Sequence, residues 1–478
     1  MSEPIIASSS RSAQDGAPTP IHCLYESELA AFLEARPSFV KGFVALEDFK
    51  AKAGQVLVLP TPQGSVDRVL LGLGEKGKAD AMLFRVLPGK LPGGDYRLSA
   101  TPDGLDAAQI ALAFALGSYR FDRYKPRPKG SGGDDAPRRL VADENLDLDE
   151  VHALAHACAL ARDMVNTPAN DMGPLQIETI AREIAERYGA TLDVITGDDL
   201  LDRNYPAVHA VGRAAVPARA PRMLELTWGD PSHPRVALIG KGVVFDTGGL
   251  DIKPSGGMRL MKKDMGGAAH ALALGRMVMT AGLPVALSVL VPAVENAISG
   301  DAMRPGDVLA TRSGLTVEVG NTDAEGRLIL ADALTRAGEL EPVLTIDLAT
   351  LTGAARVALG PQVIPFYTPD DDLALEIEEG AREACDPVWR MPLWDGYREA
   401  VDSDIADLKN DPDSWAQAGS VTAALFLQRF APTTGSWAHF DIFAWNPKAR
   451  PGFASGGEVQ VIRGLYGMLK SRFPKAQA

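Results

Sequence analysis

The sequence predicts an α/β protein. A smaller N-terminal α/β domain precedes a larger C-terminal α/β domain with a mainly parallel central sheet flanked by helices. Three observations carry this. The chain has 478 residues, more than one domain usually holds when domains run about 100–200 residues. Near-continuous apolar runs alternate with helical stretches in the second half, as in sheets covered on both faces. A Pro-, Gly- and charge-rich segment, Lys125–Pro137, followed by a helical stretch, separates the two halves.

The elements follow in order. Residues 1–20 are polar and rich in Ser and Pro, and read as a loose tail. They lack a charged segment followed by an apolar one, so no signal peptide is expected. Residues 21–145 form the N-terminal domain. Its short apolar runs Gly42–Ala45, Val56–Leu59 and Val69–Gly72 are expected as buried strands, and Ala107–Tyr119 as a helix. Lys125–Pro137 should be an exposed loop. Residues 146–165 are expected as a connecting helix, with periodicity through Val151, Leu154, Ala155, Cys158 and Leu160. Residues 166–478 form the second domain. Pro174–Tyr188 reads as a helix and Thr191–Ile195 as a strand. The runs Val236–Gly240, Val285–Val291 and Val343–Leu348 read as core strands, with helices at Gly267–Ala281 and Gly326–Leu340.

Composition removes several function classes. The 48 basic and 62 acidic side chains leave a net charge of −14. That balance argues against a general nucleic-acid or anionic-membrane binder. No run approaches the ~18 apolar residues of a membrane span. Cys23, Cys158 and Cys385 have no paired spacing. A disulfide framework and a cysteine zinc site are therefore excluded, and a reducing, cytoplasmic setting is expected.

Two motifs read as ordinary structure. Gly72–Gly77 matches G-x-G-x-x-G after a strand, but a turn uses the same glycines for positive φ. His152 and His156 share a helix face, yet Ala153 stands where H-E-x-x-H needs its glutamate, so packing is the better reading. Any metal site must then be built mostly from oxygen ligands.

Three segments offer them. GKGVVFDTGGLDIK, Gly240–Lys253, follows an apolar strand and carries Lys241, Asp246 and Lys253. MKKDMGGAA, Met261–Ala269, places Asp264 before a small-residue helix. NTDAEGRL, Asn321–Leu328, holds Asp323 and Glu325 two apart, on one side of an extended stretch. Each acid alone could be a cap and each lysine a solvated charge. Together they interrupt three strand–helix junctions, where α/β sheets carry ligand sites. Crowded carboxylates repel unless a cation neutralises them.

NTDAEGRL resembles the signature octapeptide of the leucine aminopeptidase (cytosol aminopeptidase) family. The other two segments resemble that family's metal loops, in the same order. LARDMVNTPAND, VPAVENAISGDAMRPGDVL, TIDLATLTGA, SDIADLKN and WAHFDI extend the likeness over residues 160–445, and LGSYRFDRYK adds a weaker stretch. It departs at Pro451–Glu458, where the family has a short T-G-R-P segment beside one wall of the substrate pocket.

The resemblance implies a leucyl aminopeptidase, a metalloexopeptidase with two divalent metals, Mn²⁺ or Zn²⁺. Asp246 and Glu325 would bridge them, Lys241 and Asp264 completing one site and Asp323 the other. Lys253 would stabilise an oxyanion, and Arg327 would hold bicarbonate. Met261, Asn321, Thr350 and Gly353 would line the pocket for the first side chain. It also implies peptide substrates with a free N-terminus, and a homohexamer. The rival readings are another two-metal hydrolase, such as a phosphatase, and a DNA-binding role beside peptidase activity. The loops offer only Lys253 and Arg327 for a phosphate, and the net charge counts against DNA.

Overall fold

The computed structural model describes residues 3–11, 16–125, 136–412 and 416–475. The chain forms two compact units. One comprises Met1–Ala159 with Lys448–Ser455, the other Leu160–Pro447 with Gly456–Ala478. The chain passes from the first to the second within the helix Leu148–Asn166.

Six strands form the sheet of the first unit, counted among the described residues. They are β1 (Ile5–Ala7), β2 (Thr19–Tyr25), β3 (Val56–Pro60), β4 (Val66–Gly74), β5 (Gly94–Leu98) and β6 (Arg138–Ala142), in the order β1-β6-β5-β2-β4-β3. All neighbours pair parallel except β3 with β4.

Three expectations change here. Residues 1–20 are not wholly a tail: Ile5 is fully buried and β1 pairs with β6, Ile5 opposite Leu140. Gly42–Ala45 is not a strand but part of the helix Ser38–Leu46. Val40 and Val44, four apart, face a core with Leu24, Leu57, Leu59 and Leu70. A four-residue apolar run cannot separate the two periods. The segment Lys448–Ser455, expected in the second domain, belongs to the first unit. Arg85 Nε donates to the Gly452 carbonyl at 3.1 Å, and its guanidinium lies 3.7 Å over the Phe453 ring.

Most of the loop Lys125–Pro137 lies outside the described residues. Gly72 of the glycine motif answers to packing: a Cβ there would sit 2.3 Å from the Lys52 carbonyl oxygen. His152 Nε2 is 3.0 Å from the Ile5 carbonyl, a hydrogen bond rather than a ligand position.

The second unit holds a mixed sheet. Its strands are β7 (Thr191–Thr196), β8 (Arg222–Trp228), β9 (Arg235–Gly240), β10 (Gly242–Asp246), β11 (Ala286–Asn296), β14 (Leu344–Ala349), β15 (Ile364–Tyr367), β16 (Val388–Arg390) and β18 (Ser436–Asp441). Short strands β12 (Val308–Ala310), β13 (Thr316–Glu318) and β17 (Leu408–Lys409) form a separate sheet. The main order is β16-β15-β18-β14-β9-β11-β8-β7, with β10 also paired to β11. The centre, β18-β14-β9-β11 with β10, is parallel, and β8, β7 and β15 pair antiparallel outside it. Ala237 and Ile239 of β9 pack with Leu328, Ile329 and Ala333 of the helix Glu325–Glu339. The helix Gly266–Ala281, built largely of small residues, packs on β9, β14 and β11. None of the helices among the described residues is long and apolar enough to cross a membrane.

The parallel centre fixes where chemistry can sit. The carboxyl ends of β9, β10, β11, β14 and β18 share one edge, where side chains from successive loops converge.

Candidate metal centre

That edge gathers the predicted acids. Lys241 follows β9, Asp246 ends β10, and Asp264 precedes the helix Gly266–Ala281. Asp323 lies in a turn and Glu325 opens the helix Glu325–Glu339, so the extended stretch expected around them is absent. They converge nevertheless. Asp246, Asp323 and Glu325 each bring a carboxylate oxygen within 4.8 Å of the others. Asp323 is not the helix cap, a place taken by Ala324.

Two lysines thread this group. Lys241 Nζ lies 2.6 Å from Asp264 Oδ2 and 3.0 Å from Glu325 Oε1. Lys253 Nζ lies 2.9 Å from Asp246 Oδ2 and pairs with Asp323 Oδ1. Lys241, Asp246, Asp264 and Glu325 are all no more than 3% exposed. Burial pulls both lysine pKa values down, but the surrounding carboxylates outweigh it and push them up. Burial and then the Asp246 charge push Glu325 up to about 8 and Asp323 to about 6.

The donor set fits divalent cations. Four carboxylates face Lys241 and Lys253, and Lys263 Nζ stands 3.6 Å from Asp264 Oδ1. Glu325 Oε2 is buried without a hydrogen-bond partner among the described residues, and Glu325 Oε1, Asp264 Oδ2 and Asp323 Oδ1 meet only lysine charges. A buried carboxylate oxygen left without a partner, among three crowded carboxylates, is costly unless a cation compensates it.

The remaining predicted residues are placed around this cluster. Thr350 Oγ1 donates to Asp264 Oδ1 at 2.9 Å. Met261 shares the turn of Asp264, whose N–H donates to its carbonyl at 3.2 Å. Asn321 Oδ1 accepts from the Asp323 N–H at 2.8 Å. Gly353 is exposed and begins the helix Gly353–Leu359. Arg327 is buried; its Nη1 donates to the Asn410 carbonyl at 2.5 Å, while its Nε has no partner among the described residues.

Several supporting residues escaped sequence reasoning. Asn296 at the end of β11 donates to Asp246 Oδ1 at 2.8 Å and to the Thr322 carbonyl at 3.1 Å. Asn410 Oδ1 accepts from the Gly320 N–H at 2.7 Å, steadying the loop before Asp323. Lys263 and Arg356 add two cations beside Asp264. Asn296 and Asn410 lie in VPAVENAISGDAMRPGDVL and SDIADLKN, but nothing local says what they hold.

Gly326 is required by close approach: a Cβ there would lie 2.6 Å from Lys241 Nζ. We expect Gly326→Ala to displace Lys241. A misplacement of about 1 Å costs on the order of 10² in rate. Elemental analysis of metal content and steady-state kinetics on the variant check this; full metal content with normal turnover would show that Lys241 does not need the space.

The fold and this centre together define a metal-dependent hydrolase. Residues 159–465 match the family model for the cytosol aminopeptidase family, catalytic domain, and residues 19–132 match that for the M17 aminopeptidase, N-terminal domain. The chain belongs to the cytosol aminopeptidase family. A probable cytosol aminopeptidase of Syntrophotalea carbinolica is 39% identical over 455 residues, covering 88% of this chain and 89% of that protein. The crystal structure of a cytosol aminopeptidase from Coxiella burnetii superposes with TM-score 0.89 at 42% identity, covering 96% and 98% of the two chains. The bottromycin maturation enzyme BotP, solved in complex with Mn, gives 0.83 at 34%, covering 95% and 100%. The protein is a metal-dependent aminopeptidase, a metalloexopeptidase of the leucyl type. The phosphatase and DNA-binding alternatives find no support in these matches.

Proposed function

We propose that the chain releases N-terminal residues, leucine among them, from peptides with a free amine, using two divalent ions, Mn²⁺ or Zn²⁺. Asp246 and Glu325 would be shared by both ions, Lys241 and Asp264 would complete one site, and Asp323 the other. The single observation that carries this is the convergence of Asp246, Asp323 and Glu325 with a buried, unpartnered Glu325 oxygen. Two adjacent ions, when bound, lower the pKa of water from 15.7 toward ~7 and so make hydroxide available at neutral pH.

The protein's own groups do the rest. Lys253, partly exposed at the rim of the cluster, donates to the oxygen that gains charge as the peptide carbonyl becomes tetrahedral. Arg327 offers an unused, buried Nε–H and a planar fork to a carboxylate-like anion, for which bicarbonate, a base toward water, is the candidate. Asn410 holds that guanidinium through its carbonyl. Met261, Asn321, Thr350 and Gly353 line the pocket for the first side chain. We further propose a homohexamer working in the cytoplasm.

Blocking the amine tests the reading. N-acetylated peptides should resist cleavage by the metal-loaded protein while their free-amine counterparts are hydrolysed, as followed by chromatography of products. Efficient cleavage of an acetylated peptide, or of internal bonds, would replace the exopeptidase reading with an endopeptidase.

A further inference from the structure

The wall beside Asp264 carries a cation that belongs to no part of the metal cluster. Arg356 lies on the helix Gly353–Leu359, and its guanidinium sits 4.4 Å over the Phe443 ring. The guanidinium makes no hydrogen bond or ion pair among the described residues, the Arg356 carbonyl alone accepting from the Gly360 N–H. The acids that act on it electrostatically are Asp441 and Asp264. Both are already engaged. Asp441 Oδ1 accepts from the Leu351 and Thr352 N–H groups, and Oδ2 from the Thr352 and Ser420 hydroxyls. Asp264 accepts from Thr350 and pairs with Lys241. Gly353, one turn away, is exposed and has no side chain; even a Cβ there would stop 3.6 Å from Arg356 Nη2. The guanidinium therefore keeps unused donors beside the exposed Gly353.

A second positive charge adjoins it. Lys263 Nζ lies 5.6 Å from the centroid of the same Phe443 ring and 3.6 Å from Asp264 Oδ1. Two cations thus share one aromatic side chain, between Asp264 and the exposed Gly353 that is proposed above to line the pocket for the first side chain. That side chain branches from the carbon bearing the amine, so it projects only a few bonds from the cluster. An arginine fork matches a carboxylate in two parallel hydrogen bonds and stays charged at every working pH.

We propose that Arg356 makes this pocket select acidic first residues, so that N-terminal glutamate and aspartate are released as well as leucine. The inference rests on the aminopeptidase reading. Met261, half-buried, leaves apolar surface for leucine, while the guanidinium adds an anchor that only an acidic side chain can use.

The test compares kcat/KM for glutamyl, glutaminyl and leucyl p-nitroanilides on the full-length, metal-loaded protein. Glutamate and glutamine differ in charge but hardly in shape. Wild type should favour glutamyl over glutaminyl by about tenfold or more, the size expected of a charge-assisted hydrogen bond. Arg356→Met should bring that ratio to about one, and Arg356→Lys should keep part of it. A wild-type ratio of one or less, or a ratio unchanged in Arg356→Met, overturns the inference while leucine hydrolysis leaves the aminopeptidase reading standing. Loss of all hydrolysis in Arg356→Met transfers the decision to the wild-type ratio and to Arg356→Lys. Absence of hydrolysis of all three substrates by wild type overturns both readings.

Discussion

Glu325→Gln is expected to lose bound metal and to fall in kcat/KM by more than 100-fold. Residues that merely orient a metal ligand typically cost 10–100-fold when removed, and Glu325 sits inside the cluster itself, 1% exposed. Asp246→Asn should behave alike, since each removes charge proposed to be shared by both ions. A loss of folding would imitate this result, and the electrostatics supply a control. Burial and the Asp246 charge push the Glu325 pKa from 4.5 to about 8. Its ionised form is disfavoured in the folded, metal-free chain. That chain therefore loses stability as pH rises from the carboxylate range through about 8. Glutamine cannot ionise. At pH 8 the metal-free variant should unfold at a higher temperature than metal-free wild type, and the order should reverse once metal is added. Retention of two ions with near-normal turnover would remove Glu325 from the ligand set.

The second large effect separates the two lysines. Lys241 is enclosed by Asp264, Glu325 and Gly326, and Lys253 stands at the rim against Asp246 and Asp323. Lys241→Arg should cost one metal. Guanidinium stays charged and cannot coordinate, and the space against Gly326 is already filled. Lys253→Ala should keep both ions and nearly the same KM while kcat falls by about 10²–10³, as for a lost oxyanion donor. Metal stoichiometry and steady-state kinetics on the pair decide it. Metal lost from Lys253→Ala and kept in Lys241→Arg would reverse the two roles.

What could be read from residues alone follows from the range of the forces involved. Pro174–Tyr188 is legible to the residue because a proline opens it and Gly189 closes it in left-handed conformation. The core strands are legible because both faces are covered, which leaves unbroken apolar runs. The helix Ser38–Leu46 and strand β1 are not. Four apolar residues fit two periods, and three residues at Ile5–Ala7 are ordered by β6, far along the chain. The site divides the same way. The carboxylates and lysines stand in three short segments and declare themselves by crowding charge among glycines. Asn410 acts on Arg327 from 83 residues away, and Arg356 acquires its setting from Phe443, so neither carries a local signal.

The excursion of Lys448–Ser455 has a consequence for biosynthesis. The chain crosses between its units three times, after Ala159, after Pro447 and after Ser455. Arg85 meets its acceptor at Gly452, 367 residues later. A ribosome releases the N-terminal portion first, at about 5–20 residues per second. The first unit must then wait on the order of tens of seconds for its last piece, until nearly the whole second unit has been translated. A fragment ending near Ala159 lacks that piece, so neither half of this chain can be cut out as one uninterrupted stretch without leaving part of a unit behind.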